Sequence, residues 1–110
     1  MTLAQPQSLR LQLPLEALRA LCLKYGVSEL AVFGSALRDD FSDTSDIDFL
    51  VRFRNNDAGP WMGKFDAMEL ELRQLLKRDV DVVDWNGVEQ SENQSRKRRI
   101  LDAARVIYAE

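Results

Sequence analysis

One hundred and ten residues, 45% hydrophobic and 30% charged, suffice for one small folded domain with a single core and are too few for two. With no histidine and one cysteine, a Ser-His-Asp triad and any zinc site built on histidine or cysteine are excluded. A formal charge of −3 gives no support for nonspecific binding to nucleic acid, and the lone Cys22 cannot form an internal disulfide, which fits a reducing cytoplasm.

Along the chain, residues 1–12 carry no pattern and read as a flexible tail ahead of a single domain at 13–110. Arg10, Glu16 and Arg19 interrupt the apolar run LRLQLPLEALRALCLKY, so it reads as neither a signal peptide nor a membrane span. Pro14 suits the first turn of a helix that carries Leu15, Leu18, Leu21, Cys22 and Tyr25 at helical spacing and stops at Gly26. ELAVF (29–33) reads as a short strand broken by Gly34, and DIDFLVRF (46–53) as a second strand of period two. In that second strand Ile47, Phe49, Val51 and Phe53 share one face, while Asp46, Asp48, Leu50 and Arg52 share the other.

After the turn NNDAGP, Trp61 to Lys77 is helical, with Phe65, Met68, Leu72, Leu75 and Leu76 facing inward. DVDVVDW (79–85) is a third strand. A last helix opens on a capping box, Ser91 with Gln94, and runs to Tyr108 with Ile100, Leu101, Ala104 and Ile107 as its buried stripe. The expected fold is α/β, a mixed sheet of about three to four strands covered by helices.

The chemistry concentrates in GSALRDDFSDTSDID (34–48). A strand ending in Gly-Ser and leading into a helical turn presents backbone N–H groups to a phosphate, which Gly34 lets approach closely and Ser35 can hydrogen-bond. Asp46 and Asp48, two apart on a strand, project from one face and can share hard, oxygen-seeking metal ions such as magnesium or manganese. Asp81, on the third strand, is the best third carboxylate; alternation puts Asp84 on the opposite face. The stretch is no P-loop, because no Gly-Lys-Ser/Thr follows the glycine, and no EF-hand, because Ile47 and Asp48 stand at the wrong positions.

This Gly-Ser, ten residues, Asp-x-Asp pattern resembles the signature of the polymerase-β-like nucleotidyltransferase superfamily. The chain from Leu15 to Tyr108 is similar to its minimal members, the MNT-type proteins paired with HEPN-domain toxins. The resemblance implies that Gly34 and Ser35 hold the β- and γ-phosphates of ATP, and that Asp46 and Asp48 bind two magnesium ions. It further implies that Asp81 serves the metal that activates the acceptor hydroxyl, and that Arg38 neutralises phosphate charge. Attack of a hydroxyl on the α-phosphate then releases pyrophosphate. Many relatives carry arginine and glycine after the Gly-Ser, whereas Ala36, Leu37, Asp39 and Asp40 fill the loop here.

Little chain remains for reading an acceptor once the catalytic fold is built. The expected acceptor is therefore a folded partner: the family precedent implies AMP transfer to a tyrosine of a HEPN-type toxin, making this chain the antitoxin. Two alternatives stand beside it, an antitoxin that neutralises by binding alone and a small-molecule nucleotidyltransferase of the antibiotic-modifying kind. A free sheet edge would also suit a homo- or hetero-oligomer. RKRR (96–99) reads as a solvated helix surface on which only Arg96 and Arg99 share a face, so direct nucleic-acid binding is not expected. Trp61 and Trp85 read as core or rim packing, with Trp85 the better candidate for stacking on adenine, and Cys22 as a small buried hydrophobe.

Overall fold

The central strands carry apolar residues on both faces, so both faces need cover, and the chain supplies it. The computed structural model describes residues 2–7, 9, 11–37, 42 and 45–110. Five strands form one sheet: β1 (Thr2–Leu3), β2 (Val27–Phe33), β3 (Ile47–Phe53), β4 (Val80–Asp84) and β5 (Arg105–Ala109), in the order β1-β5-β2-β3-β4. All neighbours run antiparallel except β3 and β4, which are parallel. Parallel pairing requires a crossover, which the long helix α2 (Gly63–Leu76) provides.

One face of the sheet is thick. Leu30, Val32, Ile47, Phe49, Val51 and Val80 pack there against Leu18 and Cys22 of α1 (Leu15–Tyr25) and Met68 and Leu72 of α2, all but fully buried. Gly26 ends α1 at φ +69°, the left-handed stop expected of it. The other face is thinner. Ala31 and Leu50 pack there against Trp85 and Val88 of α3 (Trp85–Glu89) and Ile100 of α4 (Gln94–Ala103). The alternation read in β3 is thus realised: Ile47, Phe49, Val51 and Phe53 enter the thick core, and Leu50 the thin one.

Several elements differ from expectation. The sheet is larger because its two extra strands carry no signal of their own. Thr2–Leu3 is too short to show alternation, and Arg105–Ala109 continues the apolar spacing of the helix before it. The last helix therefore stops at Ala103 rather than Tyr108. Ala104 turns extended (ψ 139°), and the Arg105 guanidinium donates to the carbonyls of Asp102, Ala103 and Ala104, satisfying the helix end. The β-branched and aromatic run Val106-Ile107-Tyr108 then pairs with β2, where a strand suits it better than a helix.

The cap of α4 is Asn93, whose Oδ1 accepts from Arg96 N (3.1 Å), while Ser91 Oγ accepts from Asn93 N ahead of the helix and does not cap it. Leu75, expected inward, lies at the surface. Ahead of Leu13, Leu9 is buried, and Gln5 hydrogen-bonds the backbone of Leu11 and Leu13, so this stretch packs on the domain.

Candidate active site

The site is built by strand register. Phe33 pairs with Asp48 across β2 and β3, and Asp48 pairs with Asp81 across β3 and β4. Gly34, Asp48 and Asp81 therefore lie in adjacent rows of one sheet, strands about 4.8 Å apart. Asp46 immediately precedes β3, at the same end. Asp48 has the parity of Leu50 and Asp81 that of Val83, so both carboxylates belong to the thin face, shared with α3 and α4.

Gly34 is the tightest point. Its φ of +76° lies in the left-handed region, and a Cβ added there would overlap the Oδ2 of Asp48. No side chain fits at 34, so the backbone of the turn Gly34–Leu37 approaches the carboxylate directly. The backbone of Ser35 lies in that turn. Arg38, a sequence-based candidate, lies outside the described residues.

The approach to Asp46 is held from below. Arg78 Nη1 donates to the carbonyls of Ser42 (3.3 Å) and Ser45 (3.2 Å), and Ile47 N donates to Asp79 O (3.1 Å). Ser42 and Ser45 are also bonded to one another, Ser45 N to Ser42 O and Ser42 N to Ser45 Oγ. Arg78 is thus a positioning residue for the acidic end of β3, and nothing in its sequence context marks it.

Carboxylates are the donor set that magnesium or manganese prefers, so Asp46, Asp48 and Asp81 suit a hard divalent cation by the chemistry of their side chains. Among the described residues no three acidic or cysteine side chains already converge as a ready-made cage. What the fold fixes is the adjacency of their backbone positions, with Asp46 and Asp81 exposed and Asp48 half-buried.

Other candidates are placed elsewhere. Asp84 accepts from Asn86 N (3.1 Å) and caps α3, on the face opposite Asp81 as alternation requires. Trp85 follows a residue paired with Val51, roughly 10 Å along the strand from the Asp48–Asp81 row. The residue is 9% exposed, and the Arg52 guanidinium sits 5.0 Å from its ring centroid, so Trp85 is a core residue. Trp61, by contrast, is fully exposed rather than packed. On the site's open side, Phe33 and Gly34 line a cleft of about 500 Å³ together with Arg96, Arg99, Ile100 and Ala103 of α4.

The family model of the nucleotidyltransferase domain matches residues 15–107 of this chain. The chain belongs to that family. A Methanocaldococcus jannaschii protein named "Putative protein adenylyltransferase MJ0435" is 38% identical over 68 residues, 60% of this chain and 68% of that protein. A solved structure described as "Structure of putative minimal nucleotidyltransferase" is 30% identical, covers 82% of this chain and 85% of its own, and superposes with a TM-score of 0.61. A second, the crystal structure of a toxin–antitoxin with AMP-PNP, shares the fold at a TM-score of 0.67, with 19% identity over 89% of this chain and 75% of that one.

The expected α/β nucleotidyltransferase fold is therefore the observed one, with five strands, and the chain is a nucleotidyltransferase. The nucleotidyltransferase has, among its described residues, no helix long and apolar enough to cross a membrane.

Proposed function

We propose that this nucleotidyltransferase transfers AMP from ATP to a hydroxyl, a tyrosine, on a partner HEPN-type toxin, and so acts as its antitoxin. The observation that carries the reading is the register of Gly34, Asp48 and Asp81, which sets a phosphate-accessible backbone beside a pair of carboxylates. Two further findings support it: the relative named as a protein adenylyltransferase, and the shared fold of a toxin–antitoxin solved with a nucleotide analogue.

In this reading Gly34 and Ser35 bind the β- and γ-phosphates, Gly34 by exposing its backbone and Ser35 by its position in the same turn. Asp46, Asp48 and Asp81 would hold magnesium, which when bound would neutralise charge on the entering and leaving oxygens of an in-line displacement. Asp81, exposed on the outer strand, is where an acceptor can approach. The acceptor oxygen forms a bond to the α-phosphorus as the bond to the bridging β-phosphate oxygen breaks and pyrophosphate leaves. The hydroxyl proton passes to the Asp81 carboxylate and on to solvent. Because β4 is an edge strand, Asp81 is open to a docking protein surface.

The test is intact mass spectrometry of the co-expressed partner incubated with the chain, ATP and magnesium. An increase of one or more AMP units, abolished by chelation and by the Asp46→Asn, Asp48→Asn variant, is expected. A stable complex without any mass increase would replace this reading with neutralisation by binding. Neither complex nor transfer would move the acceptor to a small molecule.

A further inference from the structure

The arginines of this chain divide into two groups. Among the described residues, Arg19, Arg52, Arg54 and Arg73 each reach a carboxylate, and Arg78 and Arg105 reach backbone carbonyls. The guanidinium groups of Arg96, Arg98 and Arg99, all on α4, have neither kind of partner among the described residues. Two of these three, Arg96 and Arg99, line the cleft that Phe33 and Gly34 close from the sheet side, whereas Arg98 points away from it. Spacing of three residues puts the pair on one helix face, one above the other.

We infer that Arg96 and Arg99 form a second anion-binding arm of the site, gripping the β- and γ-phosphates of the bound nucleotide opposite Gly34. The inference rests on the nucleotidyltransferase reading of that site. Its physical basis is charge. ATP brings about four negative charges to an end of the sheet that already carries Asp46, Asp48 and Asp81, and repulsion must be offset on the side away from the carboxylates. Guanidinium groups match phosphate oxygens in geometry and stay ionised at any working pH. The cleft, at about 500 Å³, lies within the range of small-molecule sites. Its apolar members, Phe33, Ile100 and Ala103, lower the local dielectric and strengthen such contacts. The pair would also stabilise the pyrophosphate as it departs, because charge accumulates there during the displacement.

Calorimetric titration of the full chain in magnesium with three probes, ATP, inorganic pyrophosphate and AMP, tests this. Arg96 and Arg99 are exposed, so the Arg96→Gln, Arg99→Gln variant keeps its fold. It should bind ATP and pyrophosphate about tenfold or more weakly, and AMP within about threefold of the parent chain. Arg98→Gln, with the same charge change on the same helix, should stay within about twofold for all three. Unchanged ATP and pyrophosphate affinity in the double variant overturns the inference and leaves the site reading intact. So does an equal loss in Arg98→Gln, which would make the effect long-range charge. Intact ATP binding with loss of the partner complex assigns the pair to protein docking and likewise overturns it. A parent chain that binds no ATP removes the site reading and the inference together.

Discussion

Gly34 shows how much one absent atom can decide. A glycine after an apolar strand reads as a turn, and its pairing with Ser35 reads as a phosphate contact; both follow from residue type. The tertiary reason is different: the Asp48 carboxylate lies where a side chain at 34 would be, and φ is +76°. Gly34→Ala must therefore displace Asp48 and strain the turn. We expect a destabilisation of about 1–2 kcal/mol from the backbone alone, with transfer activity falling further than stability does. Thermal melts beside the mass-spectrometric assay would check this, and an active, equally stable alanine variant would contradict the geometry. The face of Asp48 was legible because strand alternation gives it the parity of Leu50, whereas Asp46 lies just ahead of β3. Arg96 and Arg99 were legible as a shared face, but what that face meets depends on where α4 packs.

At the level of elements, Arg78 is the device that sequence reading passes over. It stands between α2 and β4, where a surface arginine is unremarkable, yet it donates to two carbonyls in the approach to β3. Arg78→Ala should cost about 1–2 kcal/mol through those two lost bonds and slow transfer by misplacing Asp46 and Asp48. Faster amide exchange at Ser42 and Ser45, whose N–H groups are bonded within the same turn, would accompany it. Lost activity with unchanged exchange would assign Arg78 some other role. The helix-to-strand change at Ala104 belongs to the same scale. Ile100, Leu101, Ala104 and Ile107 fit a helical stripe, and a short strand after a helix leaves no break in such spacing. Only the pairing of Val106 and Tyr108 with β2, and Arg105 closing the helix end, select the strand.

Across the whole molecule, the thick core sets stability and chemical inertness. Cys22 is fully buried in it, and burial pushes its thiol from 9.0 up to about 12. The thiol is therefore protonated in the folded chain throughout the neutral range, and thiol reagents should label it only on unfolding. The sign for stability follows. The unfolded thiol ionises first, so its ionisation favours the unfolded state, and stability falls as pH rises from about 9 toward about 12. Replacing Cys22 with Ala should flatten this dependence in denaturant melts taken across that interval; an unchanged slope would place its origin in other groups. At the opposite surface, Glu71 joins α2 to α1 by accepting from Tyr25 Oη and from Lys24 Nζ (2.9 Å), and those bonds hold its carboxyl below the ordinary range.

What the residues settled alone was local and periodic. Strand parity placed Asp48 apart from Phe49, and Gly26 stopped its helix, because each depends on neighbours a few positions away. What only the assembled chain decided was long-range. The register that sets Gly34, Asp48 and Asp81 in adjacent rows, the use of β1 and β5 to widen the sheet, and the packing that brings α4's arginines to the cleft all join residues dozens of positions apart. Such contacts depend on how the whole core closes, and no window of sequence contains that information.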